Sequence, residues 1–263
     1  MVVFAGFVPH PPLAIPEVGK ENLESLSETI KAYQNLEQEI YAAKPEVIIL
    51  IARQGEASAE TFAINQQPNL KVNFKDFGDL LTKLQFANDI GLGYQIKEAA
   101  ETKFPIILTA IENLDYAAGV PLYYLTQHLP DVKIIPISYS KLDNRQHFDF
   151  GQHIRRIINK SSKRVAVIAS GDLSHKLHQD SPAGYSPRGQ EFDQKLVELI
   201  NNKKIDEVIN LDNEFVTEAA GEQALRALLI LLGIIKDINY TPEKLSYQSP
   251  FGVGYLVANF KLK

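Results

Sequence analysis

Six short apolar runs, rich in β-branched residues and separated by stretches with helical spacing, constrain this chain more than any other feature. The runs are Val2–Val8, Val47–Ala52, Ile106–Ile111, Lys133–Ser138, Val165–Ser170 and Val253–Phe260. Most are nearly continuous in apolar residues instead of alternating. That is the pattern of strands covered on both faces, as in a largely parallel sheet. Between the first two runs, Leu23, Leu26, Ile30, Tyr33, Leu36 and Ile40 recur at three- and four-residue steps. This stripe predicts one amphipathic helix, ended by Pro45. Further helices are predicted over Asp89–Thr102, Val120–His128, Arg145–Asn159, Arg188–Asn201 and Glu218–Ile235. The β-α-β-α order predicts an α/β fold, a three-layer sandwich around a mostly parallel or mixed central sheet with helices on both faces. Gln66–Leu84 is the least regular stretch and reads as a hairpin or lid. With no repeat, low-complexity tract or linker, residues 1–263 read as a single α/β domain.

Composition removes several classes of function. The chain has no cysteine. That excludes a disulfide framework, a Cys-based zinc site, an iron–sulfur cluster and a Cys nucleophile. The net charge of −5 gives no attraction to nucleic acid or to anionic lipid. No Lys or Arg precedes the first apolar run, and Pro9 breaks it, so it does not read as a signal peptide. The other long apolar run, Ala227–Ile235, is too short to span a bilayer. The expectation is a cytoplasmic protein with neither a membrane nor a nucleic-acid partner.

In sheets of this kind, ligands sit beyond the carboxyl ends of the strands. The segments to inspect are therefore Pro9–Pro12, Arg53–Glu56, Glu112–Ala117 and Gly171–His178. In the first, prolines stiffen the backbone around His10. An imidazole fixed at a strand end suits metal ligation or base work. The alternative is a turn whose histidine simply packs. In the last segment, Gly171 permits a tight turn and His175 projects above the sheet edge. Ser170, Asp172 and His175 have the composition of a hydrolytic triad. Three members within six residues rarely converge, however, and triads draw on separate segments. His175 reads instead as a lone acid/base. His178 shares its face if the turn is helical and then reaches a substrate; otherwise it is a solvated surface residue.

Other polar residues have plainer readings. Glu218 and Glu222 open an apolar helix, where the macrodipole favours carboxylates. Arg226 lies four residues after Glu222, so a surface ion pair is a second plain reading. His128, His147 and His153 lie in polar helical stretches and read as surface residues. Gly252-Val253-Gly254 lacks the third glycine of a dinucleotide loop and reads as a strand start lying close to another backbone.

Taken together, the motifs resemble a known family. His10 within PHPPL, followed by Ile15-Pro16-Glu17-Val18-Gly19, is similar to the opening of the class III extradiol dioxygenase (LigB-like) family. So are GDLSH at Gly171–His175, SPAGYSPRGQEFD at Ser181–Asp193, AAGEQALRALLILLG at Ala219–Gly233 and PFGVGYLVA at Pro250–Ala258. The likeness runs from end to end in the family's order. The branch resembled is a prokaryotic one that borders on the Memo proteins. The resemblance implies an α/β sandwich around a mixed sheet. It also implies Fe(II) held by two histidines and a carboxylate, with open positions for a catecholic substrate and oxygen, and ring opening next to the two hydroxylated carbons. Members assemble as dimers or pair with a second small subunit, so an oligomer is implied as well.

Carried over residue by residue, the resemblance gives a mixed site. His10 matches the first metal-binding histidine and His175 the acid/base histidine. The second metal-binding histidine belongs to a Ser-Pro-His-Gly segment, which here reads Ala52-Arg53-Gln54-Gly55, with Gln54 in the ligand position. A further active-site histidine follows Leu-Asp, and here Tyr116 follows Leu114-Asp115. The third ligand comes from Gly221-Glu222-Gln223, as either Glu222 or Gln223. A glutamine amide is a weak ligand for Fe(II), and Arg53 beside it repels a cation. Metal binding is thus expected to be lost or altered. Arg53, Gln54, Tyr116, His178 and Gln223 would then line a pocket for a polar or anionic small molecule. Three functions compete: an Fe(II) extradiol oxidoreductase, a metal-free relative that binds a small molecule or a protein, and a metal-independent enzyme using His175.

Overall fold

The computed structural model describes residues 1–53 and 60–263. Its main sheet contains β1 (Val2–Val8), β2 (Val47–Ile51), β3 (Phe62–Asn65), β6 (Ile106–Thr109), β8 (Lys133–Ser138), β9 (Val165–Ser170), β10 (Tyr240–Gln248) and β11 (Tyr255–Leu262). They lie in the order β10-β11-β1-β9-β2-β8-β3-β6. The four central strands, β1, β9, β2 and β8, are parallel. β11 runs antiparallel to β1, and β3 antiparallel to β8, so the sheet is mixed. A smaller sheet, in the order β5-β4-β7, is built from β4 (Asn69–Phe74), β5 (Asp79–Ala87) and β7 (Asn113–Leu114). The irregular stretch predicted as a hairpin or lid is the β4–β5 hairpin.

The helices are α1 (Pro16–Gly19), α2 (Ser27–Ala43), α3 (Ile90–Ala100), α4 (Tyr116–Leu125), α5 (Asn144–Lys160), α6 (Pro187–Asn201), α7 (Ile205–Ile209), α8 (Asn213–Glu218) and α9 (Glu222–Ile235). They explain the continuous apolar strands. In β2, Val47, Ile49 and Ile51 join one buried cluster with residues of α3, α5, α6 and α9. Ile48 and Leu50 join a second cluster on the opposite face with α2, α4 and the β4 strand. Successive side chains of a strand alternate faces, so only a sheet covered on both sides buries both sets. Each fully buried Ile or Leu contributes about 1.5–3 kcal/mol. This is the three-layer α/β arrangement predicted.

Three local expectations are corrected. Ile106–Ile111 has the composition of a strand buried on both faces, but β6 is the edge of the sheet and leaves Ile107 and Leu108 exposed. The predicted helix Glu218–Ile235 is two helices: Glu218 closes α8, and Ala220, at φ 52, turns the chain before α9 begins. His147, expected at the surface, is fully buried in α5, with Nδ1 2.8 Å from the Asp143 carbonyl oxygen. Its polar neighbours in sequence point elsewhere on the helix, while its ring packs edge-on against Phe62. Helices α5 and α9 cross where Gly151 and Gly233 meet. A Cβ on Gly151 would strike the Ile230 carbonyl, and one on Gly233 the Phe148 carbonyl.

Candidate functional site

The parallel register of β1 and β9 builds the site. Val8 is level with Ser170, so His10 and Asp172, two residues further along each chain, emerge side by side. The His10 backbone N–H donates to Asp172 Oδ1 at 2.7 Å. Neighbouring strands add Arg53 beyond β2 and Tyr139 beyond β8. All four lie at the carboxyl edge of the sheet, where this class of fold collects ligands.

A chain of hydrogen bonds orients the imidazole. Pro121 lies inside α4 and has no N–H to donate to Ala117, four residues earlier. The Ser170 hydroxyl donates to that Ala117 carbonyl at 2.6 Å. With its proton so committed, Ser170 Oγ accepts from His10 Nδ1–H at 2.9 Å. In the neutral ring, Nε2 then keeps its lone pair. It lies 3.8 Å from Asp172 Oδ2, too far for a hydrogen bond. Two acceptors thus face each other across a gap that a ligand donor or a proton would bridge. Both residues are buried. The Tyr33 hydroxyl donates to the Pro9 carbonyl and fixes the turn that carries His10.

Tyrosines surround this pair. Tyr116 opens α4, capped by Asp115, and its ring meets His10 edge-on at 5.6 Å. Phe77, in the β4–β5 connection, meets Tyr116 edge-on at 5.3 Å. Burial pushes the Tyr33, Tyr116, Tyr139 and Tyr255 hydroxyls above their ordinary pKa, and the Asp172 charge adds to each shift. They stay protonated at neutral pH and serve as donors. The Arg53 charge opposes the shifts of Tyr116 and Tyr139.

The other residues singled out from sequence are placed as follows. His175 is half-buried, with Nδ1 3.4 Å from the Ala220 carbonyl oxygen. His178 is exposed, as the solvated surface reading had it, and its backbone N–H donates to Ser181 Oγ at 2.7 Å. Gln223 Oε1 lies 3.4 Å from the Tyr139 hydroxyl, which donates to it. Glu222 lines a different cavity, with Lys141, Asn144 and Arg226. The Glu222–Arg226 ion pair expected from their spacing is not formed among the described residues. Gln54 lies outside the described residues. Ser170, Asp172 and Tyr139 are the site residues that motif reading left without a role. Ser170 and Asp172 do bond to a histidine, but it is His10, not His175.

Asp193 supports the Gly171–His175 turn from below. Its carboxylate accepts from the Ser174 N–H at 2.8 Å and from the Tyr247 hydroxyl at 2.7 Å. Burial pushes its pKa up to about 6 even so. A Cβ at Gly254 would strike its Oδ2, and Gly254 exchanges backbone hydrogen bonds with Leu173 and Ser174 at 2.8 and 2.9 Å, the close approach to another backbone that was expected.

The donor set bears on metal binding. A facial Fe(II) site needs two imidazoles and a carboxylate. His10 and Asp172 provide one of each. Among the described residues no group of three or more His, Asp or Glu side chains could hold a metal ion. Tyr116, whose ring meets His10, stays protonated and is a poor ligand for Fe(II). Among the described residues, the site does not fit the metal.

Comparison with known proteins agrees with the motifs. Residues 5–258 match the family model described as the catalytic LigB subunit of aromatic ring-opening dioxygenase. A Clostridium acetobutylicum protein is 29% identical over 94% of this chain. The chain spans only 55% of that relative's length. A 3,4-dihydroxyphenylacetate 2,3-dioxygenase from Escherichia coli is 29% identical over 47% of this chain and 47% of its own. A MEMO1 family protein from Methanococcoides burtonii is 27% identical over 38% of this chain and 35% of its own. The crystal structure of an uncharacterized Escherichia coli K12 protein superposes with a TM-score of 0.71 at 15% identity, covering 98% of this chain and 99% of that one. At that identity the likeness is one of fold. No helix among the described residues is long and apolar enough to cross a membrane.

Proposed function

Because this chain belongs to the LigB family, with both a named extradiol dioxygenase and a MEMO1 family protein among its relatives, we propose that it binds a small hydroxylated, anionic molecule at His10 without a tightly held metal. The observation that carries this reading is the 3.8 Å gap between His10 Nε2 and Asp172 Oδ2. Among the described residues no donor lies between these two acceptors, and a ligand hydroxyl entering the gap would donate to one of them in a charge-assisted or imidazole hydrogen bond. Protonated tyrosines around them supply further donors, and Arg53 supplies the charge that attracts an anionic group.

The name of the Escherichia coli relative supplies the probe, 3,4-dihydroxyphenylacetate, which carries two hydroxyls and a carboxylate. Calorimetric titration of chelator-treated protein is expected to show binding that His10→Ala abolishes. Absence of binding in metal-free wild-type protein overturns the proposal.

A second reading, Fe(II)-dependent ring opening, is favoured by the names of the matching family model and relative. Anaerobic iron loading followed by elemental analysis and exposure to oxygen with the same catechol separates the two. Stoichiometric iron together with ring-opened product supports the second reading. Neither is expected here.

A further inference from the structure

A second cavity, of about 310 Å³, lies between the loop after β8 and the α8–α9 junction. Its walls include Lys141, Asp143, Asn144, Asn213, Glu222 and Arg226. None of His10, Tyr116 or Asp172 lines it, although it opens toward the same carboxyl edge of the sheet. Its volume suits a small metabolite, not a nucleotide, since ligand sites run from about 300 to 1,000 Å³.

The charges in this cavity are unusually uncommitted. Glutamate four residues before arginine on a helix ordinarily pairs. Glu222 and Arg226 have that spacing on α9 and do not pair. Among the described residues Arg226 has neither an ion pair nor a hydrogen bond, and the same holds for the side chains of Glu222 and Lys141. Arg226 is half-buried, and its charge is felt by the buried Tyr139 and His147. Two further polar walls are engaged in structural bonds. Asp143 caps α5 through the Gln146 N–H, and the Asn144 amide donates to the carbonyls of Ile209 and Leu211.

Among the described residues, the charged side chains of this cavity without a partner are therefore two cations, Arg226 and Lys141, and one carboxylate, Glu222, while the Asp143 carboxylate is engaged as the α5 cap. A simple anion would meet Glu222, and a simple cation would meet Arg226 and Lys141. The complement of this set is a molecule with two carboxylates and one ammonium. We propose that the cavity between the β8 loop and α9 is a binding site for an acidic α-amino acid, with its carboxylates on Arg226 and Lys141 and its ammonium on Glu222. The guanidinium fork matches a carboxylate in two parallel hydrogen bonds. This site is independent of the His10 reading and stands or falls separately from it.

Calorimetric titration with L-glutamate, L-aspartate, L-glutamine and glutarate tests the assignment. One or both acidic amino acids are expected to bind. Glutarate lacks the ammonium and L-glutamine lacks the second carboxylate, so each is expected to bind at least about tenfold more weakly, as befits the loss of a charge-assisted bond. Arg226→Gln is expected to abolish binding, and Glu222→Gln to remove the preference for L-glutamate over glutarate. Both residues are partly exposed, and unfolding midpoints check that the variants fold. The proposal is overturned if neither acidic amino acid binds at about 10 mM. Glutarate binding as tightly as L-glutamate, or binding that survives Arg226→Gln, also overturns it.

Discussion

The Ala117 carbonyl accepts the Ser170 hydroxyl at 2.6 Å because Pro121 brings no helical N–H to it. One imino acid in α4 thereby sets the tautomer of a histidine on another strand end. Ser170→Ala would leave two buried groups unpaired, the Ala117 carbonyl and His10 Nδ1–H. The expected loss is about 2–4 kcal/mol of stability, since each orphaned group costs about 1–3 kcal/mol. Urea unfolding measures it. A loss below about 1 kcal/mol would mean that the relay does not hold the ring.

Two buried groups give the stability an opposed pH dependence. Burial raises Asp193 to about 6, above its unfolded value, so its contribution is full below about pH 4 and is lost as pH rises through 6. Burial lowers His147 to about 4, so its contribution is present above about pH 6.5 and is lost as pH falls through 4. Folding changes the proton affinity of each group by roughly a hundredfold, which corresponds to an effect of order 3 kcal/mol apiece. They offset one another in the wild type. Asp193→Asn is expected to lose stability more steeply than wild type on acidification from about pH 6.5 to about 4.5, and His147→Gln less steeply. Unfolding free energies across that range provide the measurement, and parallel profiles for all three proteins would contradict it.

The α5–α9 crossing predicts a third outcome. Alanine favours a helix over glycine by about 1 kcal/mol. At Gly233, however, the new Cβ would meet the Phe148 carbonyl, which is backbone and cannot rotate away. Gly233→Ala is therefore expected to destabilise the protein by about 1–3 kcal/mol despite its better propensity. A raised melting temperature would contradict this.

What is legible in the sequence follows from where each residue's partners lie. β1, β8 and β9 read correctly to the residue because both of their faces are apolar. β6 has the same composition, yet it sits at the edge, because sheet order is set by crossovers that no local pattern encodes. α4 starts at Tyr116, four residues before the Val120 predicted, where the Asp115 cap places it. His10 is recognisable from its prolines and its family motif. Its bond to Ser170 joins residues 160 positions apart and depends on a carbonyl freed by Pro121, so neither spacing nor composition announces it. His147 looks solvated because its neighbours are polar, although its own direction on α5 is inward. Glu222 and Arg226 have the spacing of an ion pair, yet both line one cavity without pairing, which spacing alone does not reveal.

Tyr116→His tests what the substitution at that position has done to the site. The Tyr116 ring lies 5.6 Å from the His10 ring, and both are close enough to Asp172 to sense its charge or bond to it. An imidazole there would bring a second histidine beside His10 and Asp172, giving the donor types that Fe(II) prefers. The variant is expected to bind Fe(II) at least about tenfold more tightly than wild type, and adding Arg53→Ala is expected to tighten it further by removing a like charge. Anaerobic titration with a competing chelator measures both steps. Equal affinity in wild type and variant would mean that an imidazole at this position does not complete the donor set. Tighter binding in wild type would mean that the tyrosine is itself a ligand.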